Sequence, residues 1–295
     1  MAQLWLAYVD ANGFAQLATF TLDDGTWGPP STIALPPELG PLQPDGPLAL
    51  AFDGAQTLWL AYVQQRAIYV AGTDADAPGV AWSEPVRAGE LISGANAVTA
   101  CCSGSTLNIG YLDVQLRPST TWRDASGAWA DPQTIGAAPA PSAQPPSLAT
   151  WNGKRWFAYQ EAESTALRLV VNDGQSWSAE LLLSTGAVAK TGPAIAVVDS
   201  QLWIAYIGVT SGGANTYFMC SDDGLFWTEP YLTQGNGLAG GAPTLIAWQG
   251  GTIGSHVSAA ACAFGSTIDT ELVIPYPKDV GSLPGGGGDP AIAGW

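Results

Sequence analysis

One short phrase returns along the chain about every fifty residues. It reads Leu4-Trp5-Leu6-Ala7-Tyr8, Leu58-Trp59-Leu60-Ala61-Tyr62, Leu107-Asn108-Ile109-Gly110-Tyr111, Arg155-Trp156-Phe157-Ala158-Tyr159 and Leu202-Trp203-Ile204-Ala205-Tyr206. Its tyrosines lie 54, 49, 48 and 47 residues apart. A second phrase follows each copy, at Trp27-Gly28-Pro29, Trp82-Ser83-Glu84-Pro85, Trp129-Ala130-Asp131-Pro132, Trp177-Ser178-Ala179-Glu180 and Trp227-Thr228-Glu229-Pro230. A third precedes it, as in Gly46-Pro47-Leu48-Ala49-Leu50 and Gly192-Pro193-Ala194-Ile195-Ala196. Each unit thus holds about four short apolar runs punctuated by Gly, Pro, Asp and Asn, and no stretch sustains a helical period. A four-stranded repeat of this length is the signature of a propeller blade. Sandwiches also use short strands, but they do not repeat one phrase five times.

The two ends set the expected blade count. Pro243-Thr244-Leu245-Ile246-Ala247-Trp248 aligns without gaps to Pro193-Ala194-Ile195-Ala196-Val197-Val198, which puts Ile253 in the Trp203 column and His256 in the Tyr206 column of a degenerate sixth unit. The segment Asp289-Pro290-Ala291-Ile292-Ala293-Gly294-Trp295 matches the strand that opens every unit, whereas the chain begins at the second strand. Joining the ends completes a blade and removes two open edges. The expected fold is therefore all-β: one domain over 1–295, a six-bladed β-propeller with four-stranded blades. The ring is closed by the C-terminal strand (289–295) pairing in the first blade. The blades fall near 289–295 with 1–34, 47–88, 95–136, 145–184, 192–233 and 241–277, and Gly281 to Gly288 reads as a flexible connector.

Composition narrows the ligand. Charged residues are 12% of the chain, about half the usual share, and 25 acidic against 9 basic residues give a net charge of −16. A nucleic-acid binder needs a Lys/Arg stripe, and an anionic membrane surface would repel this chain. No run of 18 apolar residues suggests membrane insertion, and the N-terminus lacks a signal-peptide pattern, so the expected location is cytoplasmic or non-classically released. Cys101, Cys102, Cys220 and Cys262 form no metal-ligand spacing with the lone His256, and no metal or other cofactor is expected, although loop carboxylates leave calcium open. Neutral ligands remain, and the 13 Trp and 9 Tyr are candidates either for blade packing or for platforms under sugar rings.

The segment Ser221-Asp222-Asp223-Gly224-Leu225-Phe226-Trp227 resembles the Asp-box of sialidase-like (BNR-type) β-propellers, with looser versions at Asn172-Asp173-Gly174-Gln175-Ser176-Trp177, Asp23-Asp24-Gly25-Thr26-Trp27 and Ala125-Ser126-Gly127-Ala128-Trp129. In such a motif Asp caps a tight turn, Gly supplies positive φ and Trp folds back over it. The resemblance covers about five-sixths of the chain and points to the sialidase-like propeller lectins of bacteria and fungi. It implies that the Asp-box turns lie on the face opposite the ligand.

Sialidases resemble one another in a converging arginine triad, and the six arginines here, among them Arg66, Arg117 and Arg168, recur about once per unit instead. Other glycosidases need two carboxylates about 5 to 9.5 Å apart. Asp113 with Glu161, or Glu161 with Glu163, are the candidates for such a pair, and a solvated loop cluster is the plainer reading of them. No catalytic residue is assigned.

By the resemblance, the repeated Tyr leads into a loop on the ligand side. Those loops hold Asp10, Gln64, Arg66, Asp113 and Glu161, which offer paired donors and acceptors to vicinal hydroxyls. Trp151, Trp248 and Trp295, at the end of the opening strand, are the candidate stacking platforms, with Tyr8, Tyr62, Tyr111, Tyr159 and Tyr206 nearer the rim. Trp5, Trp59, Trp156 and Trp203 read as packing between blades. The function expected is a multivalent carbohydrate-binding lectin for neutral, fucose-like glycans or glycoconjugates, compatible with a homodimer. The alternatives are a protein-interaction or toxin-component propeller, and a glycoside hydrolase using loop carboxylates.

Overall fold

The computed structural model describes residues 3–21, 26–36, 39–78, 81–89, 92, 97–135, 142, 144–183, 188–198, 200–210, 213–232, 243–250, 255–264, 267–274, 276–284 and 291–294, with backbone alone at 3, 26, 213, 231–232 and from 244 onward. Every regular element in them is a strand. The first blade holds β1 (Gln3–Val9), β2 (Ala15–Thr21), β3 (Thr26–Trp27) and β4 (Ser31–Thr32); the second β5 (Leu48–Phe52), β6 (Thr57–Gln64), β7 (Ala67–Asp74) and β8 (Val86–Arg87). The third holds β9 (Ala97–Ser103), β10 (Thr106–Leu112), β11 (Pro118–Arg123) and β12 (Gln133–Thr134). The fourth holds β13 (Ser147–Trp151), β14 (Lys154–Gln160), β15 (Leu167–Asn172) and β16 (Leu181–Leu182). The fifth holds β17 (Val188–Ala189), β18 (Ala194–Val198), β19 (Gln201–Thr210), β20 (Gly213–Ser221) and β21 (Tyr231–Leu232). All pairings are antiparallel, and β5, β9, β13 and β18 stand side by side as the inner strands of successive blades.

The all-β propeller is confirmed, but the expectation of six blades is corrected to five. Five blades of mostly four strands are described with their side chains and packed cores, the first and fifth having a fifth strand. The segment expected as a sixth blade is described in backbone alone. There β22 (Thr244–Gly250), β23 (Ser255–Phe264), β24 (Thr267–Ile274) and β25 (Tyr276–Pro284) pair as a separate sheet, with a register shift between Asp269 and Glu271. That sheet runs past the expected limit of 277 and takes Gly281 into a strand. Its register also overturns the ungapped alignment. Thr244 pairs with Ala261 as Ala194 pairs with Ala205, so Cys262, and not His256, falls in the tyrosine column. The opening hairpin here is longer than in the other units, which a gapless match cannot accommodate.

At the other end β26 (Ala291–Gly294) pairs antiparallel with β1, Leu4 opposite Gly294 and Ala7 opposite Ala291. The first blade is therefore completed by the far end of the chain.

Alternation along the second strand of each blade explains the repeated phrase. Trp5 and Ala7 face forward, packing with Leu58, Leu60 and Tyr62 of the next blade. Ala61 and Val63, beside Trp59, pack with Leu107, Ile109 and Tyr111. Trp156 and Ala158 pack with Leu202, Ile204 and Tyr206. The Trp and Ala columns thus look toward the next blade, and the Leu and Tyr columns look back at the preceding one.

Candidate functional site

The polar loops after the second strand use their carboxylates internally. Asp10 Oδ1 accepts the N–H groups of Asn12 (2.8 Å) and Phe14 (3.0 Å), and its Oδ2 accepts from Gln16 Nε2 at 2.9 Å. Asp113 Oδ1 accepts the N–H groups of Gln115 (2.8 Å) and Arg117 (2.9 Å), and its Oδ2 meets the Arg117 guanidinium at 2.6 and 2.7 Å. Glu161 Oε2 accepts from Ser164 Oγ at 2.5 Å and from Arg168 Nη2 at 2.8 Å. These two bonds, the hydroxyl first, hold the Glu161 carboxyl below its ordinary value. Arg168 also reaches Glu180 at 3.5 Å. Gln64 ends β6, and Arg66 sits exposed in the two-residue turn beyond it, with φ of 61°. Asp10, Gln64 with Arg66, Asp113 and Glu161 thus belong to four different blades, and the three carboxylates are each engaged in their own loop.

The tyrosine column is buried. Tyr8, Tyr62, Tyr111, Tyr159 and Tyr206 are at most 4% exposed, so their rings present no face to solvent. Burial first, then a neighbouring phenol, raises the Tyr62 hydroxyl, and the ring stacks on Tyr69 at 5.8 Å. Tyr159 donates to Glu180 Oε1 at 2.5 Å. Trp151 is 6% exposed, its Nε1 donating to Ser200 O at 3.0 Å and its ring 5.6 Å from that of Trp156. It was expected beside the polar loops, but it pairs with Lys154 at one end of β14 while Gln160 and Glu161 lie at the other. An opening strand ends where the second strand starts, so the two groups occupy opposite ends of a blade. The Trp248 side chain and Trp295 lie outside the described residues.

At the end of the fourth blade that carries Trp151 and the turn after Asn172, the face expected to lie opposite the ligand, a cleft of about 270 Å³ opens between the third and fourth blades. Two departures from the repeat meet in it. Asn108 stands where the other units have Trp5, Trp59, Trp156 and Trp203, and Arg155 stands where they have Leu4, Leu58, Leu107 and Leu202. Elsewhere Trp and Leu of these columns share an interface core, as Trp5 does with Leu58 and Trp156 with Leu202. Here the smaller amide leaves space that is lined by Thr106, Asn108, Trp122, Thr150, Lys154 and Arg155 among others. Trp122 is the register partner of Asn108, so the aromatic ring has moved one strand outward.

The Arg155 guanidinium lies 4.3 Å over the Trp122 ring and 5.8 Å from that of Trp177, and Nη2 donates to Asn172 Oδ1 at 3.0 Å. Burial lowers its pKa, yet a guanidinium stays charged in protein surroundings. Asn172 Oδ1 also accepts Gly174 N–H at 2.8 Å, which ties the guanidinium to the turn resembling an Asp-box. Thr150 Oγ1 donates across the interface to Cys102 O at 3.1 Å. Chemically, the cleft offers several fixed donors beside an aromatic wall. Sequence reasoning missed it because its residues come from two blades, although the two broken columns were the available signal. Among the described residues, no group of three or more His, Cys, Asp or Glu could hold a metal ion.

No family model matches this chain, and no curated protein matches it. Solved structures do. AofleA from Arthrobotrys oligospora superposes with a TM-score of 0.69 at 13% identity, over 96% of this chain and 83% of that one. A fucose-specific lectin from Aleuria aurantia gives 0.64 at 15%, over 96% and 91%. The Hadza microbial sialidase Hz136 gives 0.54 at 14%, over 94% of this chain and 60% of that one. At these identities the likeness is one of fold.

Proposed function

We propose that this chain is a carbohydrate-binding lectin that holds glycans without transforming them. The observation that carries the reading is the cleft between the third and fourth blades, where Asn108 and Arg155 replace a packed Trp–Leu pair and leave donors beside the Trp122 ring. A concave site with an aromatic wall and a few convergent polar groups suits an amphipathic ring. The fold likeness to a fucose-specific lectin supports the class and makes fucose the first neutral sugar to try. Neutral, fucose-like glycans are also the ligands on which the chain's net charge of −16 acts least. The cleft occurs at one interface, so it supplies one site per chain, and the multivalency expected from the repeat is not carried by it.

A glycan array with labelled protein, competed by free monosaccharide, tests this. Binding to a coherent sugar family is expected, with Trp122→Ala and Asn108→Trp each weakening it at least tenfold while the far-UV spectrum stays native. A blank array at high protein concentration would sink the reading. Leu225 and Phe226, 65% and 80% exposed at one turn, favour the protein-interaction reading as the second choice. That reading requires a partner whose binding survives excess sugar.

A further inference from the structure

Both charges that line the cleft are positive. Lys154 and Arg155 line it and no Asp or Glu does, in a chain with 25 acidic and 9 basic residues. Arg117 and Arg168 are each held by carboxylates, whereas among the described residues no ion pair within 4.0 Å reaches Lys154 or Arg155, and the Asp173 carboxylate beside Gly174 acts on Lys154 only at longer range. Among the described residues, the groups that contact the Arg155 guanidinium are neutral: the Trp122 and Trp177 rings and the Asn172 amide oxygen. It is also half-buried, so a carboxylate arriving there meets less solvent screening than at an open surface pair. The other lining groups, Thr106, Asn108 and Thr150, carry no charge that would repel an anion. Arg155 and Asn108 both break the repeat, so this local sign belongs to one interface and not to the ring as a whole.

Resting on the lectin reading, we propose that this cleft prefers a pyranose bearing one carboxylate, a hexuronate, to the neutral hexose of the same configuration. The carboxylate pairs with the Arg155 and Lys154 cations, and the ring hydroxyls meet the amide of Asn108 and the threonine hydroxyls. The net charge of −16 slows the approach of a polyanion, but a single carboxylate is drawn by the nearest charges once inside a Debye length.

Titration calorimetry of the full chain with matched pairs tests the proposal: methyl glucuronide against methyl glucoside, and methyl galacturonide against methyl galactoside. One acid should bind on the order of tenfold tighter than its neutral partner, the difference one charge-assisted hydrogen bond supplies. Arg155→Gln should abolish that advantage, and Lys154→Gln and 0.5 M salt should each reduce it. Acids binding no better than their neutral partners would overturn the proposal and leave the lectin reading standing. An advantage that persists in a folded Arg155→Gln, Lys154→Gln double variant would also overturn it, by placing the preference elsewhere. Binding of neither class, together with a blank glycan array, would remove both readings.

Discussion

Gly110 and Phe157 form a small-and-large pair across the interface of the third and fourth blades: a Cβ built on Gly110 would stand 2.5 Å from Phe157 Cε2 and 2.8 Å from Thr99 Cγ2. The other units carry Ala at the Gly110 position (Ala7, Ala61, Ala158 and Ala205) and Leu or Ile at the Phe157 position (Leu6, Leu60, Ile109 and Ile204). The larger ring in the fourth blade therefore goes with a missing methyl in the third. Gly110→Ala should cost about 1–3 kcal/mol through overpacking. Phe157→Leu alone leaves a void, but combined with Gly110→Ala it restores the volume balance of the other interfaces. A double-mutant cycle by urea unfolding should show coupling above about 0.5 kcal/mol, and simple additivity would refute the pairing.

This pair shows what the repeat makes legible and where it stops. The phrase around Trp5, Trp59, Trp156 and Trp203 marks the second strand of each blade, and its period-2 pattern follows from alternate faces meeting different neighbours. Which column faces which blade is not written in one unit, so the tyrosines read as rim residues and prove to be buried. Trp151 shares that history: its position at the end of an opening strand was readable, but its burial against Trp156 was not. The cleft escaped because Asn108 and Arg155 each look like a blemish in one repeat copy, and only the packing of adjacent blades makes them face one another. The sheet of Thr244–Pro284 was misaligned because a longer hairpin shifts its register against the template.

Gly224 is another position where a side chain has no room. Its φ is +77°, and a Cβ there would come 2.0 Å from Trp156 Cη2 in the preceding blade. The turn that holds it is fixed by Ser221 Oγ accepting Gly224 N–H at 2.8 Å, and by Asp223 Oδ1 accepting the N–H groups of Leu225 (2.8 Å) and Phe226 (2.9 Å). Gly224→Ala combines backbone strain with a clash against a packed ring, so a loss of roughly 3 kcal/mol is expected. The loss should appear as a lower denaturant midpoint, together with a changed near-UV signal as Trp156 is displaced. A variant as stable as the parent would mean that the turn lifts freely from the fourth blade.

Glu161 links stability to pH. Its carboxyl is held below the ordinary 4.5 by the Ser164 hydroxyl and then by Arg168. The folded state therefore binds fewer protons than the unfolded chain between the lowered value and the ordinary one, and this contribution is fully present above about 4.5. It fades as pH falls through the folded-state value. Glu161→Gln should cost under about 1 kcal/mol at pH 7, because the pair sits near the surface. The variant's stability should converge on that of the parent in acid, as read by urea titrations at pH 7 and pH 3. A gap that stays constant between the two would show that the charge is not what Glu161 contributes.

The pairing of β26 with β1 makes one blade depend on both ends of the chain. Leu4, Trp5, Leu6 and Ala7 are fully buried, and each has a register partner in Ala291–Gly294. Removing residues 289–295 leaves the backbone groups of β1 on that side without partners and opens an apolar strand edge to water, an invitation to association. The shortened chain should lose cooperativity, seen as a broadened denaturant transition, and should elute as larger species on gel filtration. A synthetic peptide of residues 289–295 added in trans should restore the sharp transition, since it supplies the missing hydrogen-bond partners, and one with prolines at 292 and 294 should not. If the shortened chain unfolds as sharply as the parent and elutes at the parent's position, the core of the first blade holds through Trp5 and Ala7 against the second blade, without β26.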